Sequence, residues 1–304
     1  MTPAFKSGFV AIVGRPNAGK STLVNQLVRR KVAIVSSRPQ TTRNRIQGIV
    51  NREAAQVVLI DTPGLHKPGT VLGRQMINEI EAALEGIDVL ALLLDASEEF
   101  GRGDRRVLER ANTFGGPAFL LLNKIDLIPK ARLLPLMDAC SREYDFAEII
   151  PISALTGNGL PLLLDKLIEH LPEGEPYFPS DQFTDQPERF LAAEIIREKA
   201  IGLTHHEVPH AIAVLVESFE ESEKLIRIRA MIHVERDGQK GILIGKGGEM
   251  LKKIGTAARR EIEELLGVKI FLELYVKVQP NWRDNPALVR LLDWRRQLEQ
   301  LGKE

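Results

Sequence analysis

Five short apolar runs punctuate the first half of the chain, at residues 9–13, 57–60, 89–94, 118–122 and 149–152. Each is strand-sized and apolar throughout, without the alternation of a sheet that has one wet face. Between them, apolar residues recur at helical spacing over 21–30, 72–84, 105–113, 133–144 and 160–171. Strands apolar on both faces, alternating with amphipathic helices, predict an α/β domain with a mostly parallel sheet covered on both sides. Ligands of such sheets bind beyond the carboxyl ends of the strands, so polar motifs at those ends carry the chemistry.

The rhythm changes after residue 171. Residues 172–187 hold four prolines and no periodicity, which marks a boundary. The expected division is therefore a domain over 1–173, a linker over 174–187 and a second domain over 188–304. In the second domain a helix (188–201) precedes two β-rich runs (211–219 and 225–235). A short helix, a glycine-rich turn, a long helix (249–266), a strand (269–278) and a last helix (286–301) follow. This order predicts a smaller α+β domain.

Composition narrows the class without naming a function. The 304 residues carry 41 lysines and arginines against 41 acids, with 44% hydrophobic residues. That balance excludes disorder, collagen-like repeats and acidic tails. The single cysteine, Cys140, excludes an intramolecular disulfide and a cysteine metal cluster, and fits a reducing compartment. No apolar run approaches the ~20 residues that span a bilayer. The N-terminus runs straight into a strand with no visible signal peptide, so the expected location is cytoplasmic.

Gly14-Arg15-Pro16-Asn17-Ala18-Gly19-Lys20-Ser21 follows the first run and opens a helix through Thr22. It matches the phosphate-binding loop G-x-x-x-x-G-K-[ST], in which backbone N–H groups and the helix N-terminus face phosphate oxygens. Lys20 then reaches the β- and γ-phosphates, and the Ser21 hydroxyl ligates Mg²⁺. Asp61-Thr62-Pro63-Gly64 ends the second run; its aspartate can hold Mg²⁺ through water and its glycine N–H can meet the γ-phosphate. Asn123-Lys124-Ile125-Asp126 ends the fourth, where the Asp126 carboxylate can accept the two N–H donors that guanine has and adenine lacks. Ser153-Ala154, after the fifth run, completes a base pocket. A P-loop kinase or ATPase is the competing reading, and Asn123 to Asp126 argues against it.

In this order the motifs resemble the translation-factor-related P-loop GTPases. The resemblance implies GTP and GDP as ligands, Mg²⁺ as cofactor, and a threonine from a mobile loop as a third metal ligand. Gln40-Thr41-Thr42-Arg43 fits that loop, with Thr42 preferred over Thr41. Ser21, Thr42 and Asp61 are then the metal set, and Lys20, Thr42 and Gly64 the catalytic set. Leu65 follows Gly64 where Ras-like proteins carry a water-orienting glutamine, so slow intrinsic turnover is expected. Asn17 resembles the asparagine with which some relatives hold K⁺; a turn-stabilising asparagine is the plainer alternative.

The second domain adds Ile244-Gly245-Lys246-Gly247-Gly248. Between residues 227 and 260 nine lysines and arginines face three acids, a local excess in a chain of zero net charge. The run includes Lys252 and Lys253 and ends at Glu261, Glu263 and Glu264. Loop, charge and element order resemble a type II KH domain, whose Gly-x-x-Gly loop clamps about four single-stranded nucleotides. Ile244 to Gly248, Lys252 and Lys253 are the RNA-binding candidates. A P-loop GTPase domain followed by a KH domain resembles the Era family of ribosome-associated GTPases over nearly the whole chain. That resemblance implies binding to the 3′ end of small-subunit ribosomal RNA, a role in assembly and maturation of the small ribosomal subunit, a monomer, and peripheral association with the inner face of the cell membrane. A signalling GTPase with a protein-binding second domain is the alternative. His205, His206 and His210 are read as exposed or capping residues, and Trp282 and Trp294 as packing anchors.

Overall fold

The computed structural model describes residues 4–38, 40–65 and 69–296. Its chain divides into two compact units. The first comprises residues up to 33, 42–67 and 76–185; the second comprises 34–41, 68–75 and 186 onward.

The first unit is built on a six-stranded sheet of order β2-β3-β1-β4-β5-β6. Its strands are β1 (Lys6–Gly14), β2 (Ile46–Arg52), β3 (Ala55–Asp61), β4 (Val89–Asp95), β5 (Ala118–Asn123) and β6 (Glu148–Pro151). All neighbours are parallel except β2, which pairs antiparallel with β3. The helices are α1 (Lys20–Val28), α2 (Val71–Ala83), α3 (Arg102–Leu108), α4 (Ala111–Phe114), α5 (Leu133–Ser141) and α6 (Leu160–His170).

The wholly apolar runs are explained by two separate cores. Val10 and Ile12 of β1, Ala91 and Leu93 of β4, and Phe119 and Leu121 of β5 enter one core with α1 and α6. Ala11, Val13, Leu90, Leu92, Leu120 and Leu122, the alternate residues, enter the other with α3, α4 and Cys140. A period of two therefore disappears from the sequence because both faces are dry. Each fully buried leucine contributes about 2 kcal/mol. Cys140 is fully buried, and burial pushes its thiol pKa up to about 11.

Three elements differ from the sequence expectation. Strand β2 was not foreseen; its run is interrupted by Gly48 and bounded by arginines. The helix expected at 105–113 is two helices, α3 and α4, separated at Glu109–Arg110. The helix expected at 286–301 is broken: α11 (Pro286–Leu291) ends before a non-helical pair at 292–293, helix resumes at 294–296, and residues 297–301 lie outside the described residues.

Residues 172–185 lie along the first unit. Ile49 N–H donates to the Phe183 carbonyl, Gly48 and Thr184 form an antiparallel bridge, and Asn51 Nδ2 donates to the Ser180 and Gln182 carbonyls. The proline-rich segment thus covers the outer edge of β2.

The second unit contains α7 (Glu188–Gly202), α8 (Val208–Ala211), α9 (Asp237–Ile244), α10 (Glu249–Leu266) and α11. Its sheet is β7 (Ala213–Glu221), β8 (Leu225–Val234) and β9 (Lys269–Val278) in that order. β7 and β8 are antiparallel and β8 and β9 parallel. Here the alternation is clean: Ile226, Ile228, Ala230 and Ile232 are buried while Arg227 and Arg229 are exposed. α10 buries Ile254, Ala258 and Ile262, spaced by four, and ends at Gly267 in the left-handed region. Trp282 is fully buried with its Nε1 donating to the Ala211 carbonyl at 2.7 Å, and Trp294 packs on Phe190, so both act as anchors.

Within this unit Val35 and Thr41 are hydrogen-bonded to α7. Glu198 accepts the Val35 N–H at 2.9 Å. Arg197, 2% exposed, pairs with Glu194 and donates to the Thr41 carbonyl.

Candidate functional site

β1 delivers the phosphate loop at its carboxyl end. Gly14 lies so close to β4 that a Cβ would meet the Leu93 carbonyl at 2.5 Å. Gly19, at φ 100, would carry a Cβ 2.3 Å from Asn123 Nδ2, so only glycine fits where the loop turns into α1. Asn17 has φ 63, a left-handed conformation that asparagine tolerates. Arg15 Nη1 is paired with Asp104 at 3.2 Å, and Pro16 packs against Gly64. Asp104 was not singled out by sequence, because its partner is remote in the chain.

Lys20, Ser21 and Thr22 open α1. Lys20 is 6% exposed and its Nζ donates to the Gly14 and Arg15 carbonyls at 3.3 and 3.1 Å. Burial lowers its pKa, against the raising effect of Asp61. Ser21 Oγ lies 2.6 Å from Asp61 Oδ2 and 2.9 Å from Thr42 Oγ1, and Thr42 Oγ1 lies 3.4 Å from the same carboxylate oxygen. Burial raises the Asp61 pKa, opposed by Lys20 and by hydrogen bonds from Ser21, Thr42 and the Thr62 backbone. Asp61 Oδ1 is buried without a hydrogen-bond partner among the described residues. Two hydroxyl oxygens beside a buried carboxylate with an unpartnered oxygen, three hard donor groups in all, suit Mg²⁺. Thr41 instead turns its hydroxyl to the Arg38 carbonyl at 2.6 Å, so of the two threonines it is Thr42 that reaches this cluster.

At the end of β3, the Thr62 hydroxyl donates to the Ile12 carbonyl at 2.7 Å, tying Asp61-Thr62-Pro63-Gly64 to β1. Leu65 N–H donates to the Gly14 carbonyl while its side chain packs on the second core.

The base-pocket motifs meet through Asn123. Its Nδ2 donates to the Ala18 carbonyl at 2.7 Å and its Oδ1 accepts the Ala154 N–H at 2.8 Å, joining phosphate loop, β5 and the Ser153-Ala154 loop. Ser153 is fully buried, and its Oγ accepts the Thr156 N–H. Lys124, at φ 65, pairs with Asp95 at 2.5 Å. Asp95 ends β4, a strand-end signal that the sequence reading passed over. Asp126 is exposed.

In the second unit α9 runs into the glycine loop. Gly245, Gly247 and Gly248 all have positive φ, and a Cβ on Gly245 would meet Met250 at 2.8 Å. Lys246 and Gly247 are exposed at the tip, Ile244 is half-buried behind it, and Lys252 and Lys253 are exposed on the first turns of α10. The loop, the helix N-terminus and the lysines together present backbone N–H groups and positive charge on one exposed surface.

Two family models match the chain: a 50S ribosome-binding GTPase over residues 9–124 and a KH domain over 207–283. GTPase Era of Syntrophus aciditrophicus (strain SB) is 53% identical over 288 residues, 94% of each chain. Among solved structures, Aquifex aeolicus Era bound to GDP·AlF4⁻ matches with TM-score 0.92 at 43% identity, over 95% of this chain and 99% of that one. Era in complex with MgGDPNP and nucleotides 1506–1542 of 16S ribosomal RNA matches with TM-score 0.93 at 43% identity and the same coverage. With site geometry, both domain models and identity across nearly the full length in agreement, the chain belongs to the Era family of GTPases.

Proposed function

We propose that this chain is a GTP-driven switch that binds small-subunit ribosomal RNA near its 3′ end and assists assembly and maturation of the small ribosomal subunit. What carries the reading is the union in one chain of the Ser21–Thr42–Asp61 cluster with the Gly245–Gly248 clamp. The similarity over 95% of the chain to an Era solved with MgGDPNP and 16S ribosomal RNA supports it. That RNA spans nucleotides 1506–1542, far more than the roughly four nucleotides one clamp holds.

Lys20 and the backbone N–H groups of residues 14–22, Pro16 excepted, hold the β- and γ-phosphates, and Gly64 N–H meets the γ-phosphate. Ser21, Thr42 and Asp61 would hold Mg²⁺, which when bound would neutralise charge on the phosphates. Asp126 reads the guanine N1–H and amino group, while Asn123 and Lys124 brace the pocket walls and Ser153-Ala154 closes it. Leu65 offers no hydrogen bond to an attacking water, so turnover is slow until another group orients that water. K⁺ at Asn17 is one source of the missing positive charge. Thr42 belongs to the loop that orders around GTP and relaxes on hydrolysis. The protein acts as a monomer in the cytoplasm, with peripheral contact at the inner face of the membrane; among the described residues no helix is long and apolar enough to cross one.

The test titrates single-stranded RNA matching the 3′ end of small-subunit ribosomal RNA with a GTP analogue and then with GDP. Tighter binding in the GTP form, lost in a Lys246→Asp/Gly247→Asp variant, is expected. Equal, weak binding by both proteins points instead to a signalling GTPase whose second domain takes a protein partner.

A further inference from the structure

The sheet of the second unit has one face against its helices and one face open. Strand register sets what the open face presents. Arg227 lies opposite Phe271 and Arg229 opposite Glu273, and Met231 lies opposite Tyr275, with Lys269 and Lys277 at the two ends of β9. Phe271 and Tyr275 are 47% and 46% exposed, an unusual cost for large rings on an otherwise well-packed domain. The Arg227 guanidinium sits 5.2 Å from the Phe271 ring centroid. Glu273, between the two rings, is engaged by Arg229 at 3.7 Å and accepts from the Tyr275 hydroxyl at 3.4 Å, and Glu220 of β7 lies opposite Arg227, so four cations (Arg227, Arg229, Lys269 and Lys277) face one carboxylate on β8 and β9 themselves. The β8–β9 half is therefore basic and aromatic.

α9 and α10, which carry the Gly245–Gly248 clamp between them, both pack against β9. β9 is an edge strand, so the clamp and the open face meet across a single strand.

We propose that the open face of β8 and β9 is a second single-stranded RNA site, continuous with the clamp, in which bases stack on Phe271 and Tyr275. The two rings are four residues apart on one strand, about 13 Å. Arg227 reinforces the Phe271 platform through cation–π contact, and Arg229, Lys269 and Lys277 supply charge to the backbone. Flat stacking reads no base edge, so this site adds affinity and length without adding much sequence preference. The proposal rests on the RNA-binding reading above.

The test uses the full-length protein with a GTP analogue and two fluorescein-labelled RNAs sharing one clamp sequence, about five and about thirty nucleotides long. Phe271→Ala/Tyr275→Ala is expected to weaken the long RNA by roughly tenfold or more and leave the short one unchanged. Phe271→Tyr and Tyr275→Phe, which keep the rings, should bind both RNAs as the parent does. Lys269→Glu/Lys277→Glu, at exposed positions that leave both rings in place, should show the same split should the alanine pair melt early. Unchanged binding of the long RNA, or equal loss of both lengths, overturns the proposal. A parent that binds the long RNA no better than the short one overturns it while leaving the clamp in place. A parent that binds neither removes the RNA reading itself.

Discussion

At the scale of single residues the site depends on side chains held by specific partners, as Ser21 and Thr42 are by Asp61. Asp126 shows what a single charge does. A carboxylate accepts both guanine donors; an amide accepts one and turns a donor toward the other. Asp126→Asn should weaken GDP by about a hundredfold and improve binding of xanthosine diphosphate, whose ring offers an acceptor at that place. Nucleotide competition on the purified variant measures it. His233 gives a second prediction. It is 7% exposed, its Nδ1 has no hydrogen-bond partner among the described residues, and burial lowers its pKa below 6.5, with Lys277 adding to the shift and Glu217 opposing it. The unfolded chain therefore binds this proton more readily than the folded one, so stability is full above pH 6.5 and falls as pH drops through that value. Melting between pH 7.5 and 5.5 should show a shallower loss in His233→Gln than in the parent.

Much of the residue scale was legible beforehand because the motifs sit at strand ends. Gly14 to Ser21, Asp61 and Asn123 could be assigned once the runs before them were read as buried strands. The pair Thr41 and Thr42 could be ranked but not resolved, since only the fold says which hydroxyl faces Asp61. Asp104 stayed hidden because its partner Arg15 is far along the chain, whereas Asp95 stands at a strand end like the other motifs and was passed over. The platform of Phe271 and Tyr275 was hidden for a different reason. Arg227 and Phe271 become neighbours only when the parallel register of β8 and β9 is known.

At the scale of elements the parallel strands announced themselves and β2 did not. A central strand is apolar on both faces, whereas β2 carries Gln47, Gly48, Asn51 and Arg52 and draws its cover from a segment more than a hundred residues away. Residues 172–185 look like a free linker by composition because prolines and acids have no period. Their order comes from backbone pairing, which composition does not encode. A first-unit fragment ending at residue 173 would leave the edge of β2 bare, a template for pairing with other chains. Such a fragment should aggregate at concentrations where one ending at residue 185 stays monomeric. Light scattering on the two fragments distinguishes them, and equal solubility would count against a protective role for the segment. The long helix α10 was legible in full, since its buried face repeats every four residues and Gly267 stops it.

At the scale of the whole molecule neither unit is one uninterrupted stretch of chain. The backbone enters the second unit at residue 34, returns at 42, and repeats the excursion at 68–75 before its last crossing after Asp185. Sequence could place a boundary near the prolines. It could not reveal the two early excursions, because the hydrogen bonds that hold them, to α7 and to Asp284, join residues more than 150 positions apart. A fragment beginning at residue 186 lacks both segments and so lacks part of its own unit.

The bond from Val35 N–H to Glu198 has a consequence of another kind. The Val35 side chain is 44% exposed, and an amide in so open a position normally trades its hydrogen with water almost freely. Held by a carboxylate on α7, it can do so only when residues 34–41 lift away. Thr42 is the next residue along, so the deuterium uptake of this one amide becomes a clock for the loop that meets Mg²⁺. Uptake at Val35 that changes with GTP analogue against GDP would date the switch from inside the protein, with no label attached. Identical uptake in both states would mean that the loop moves beyond Thr41 alone.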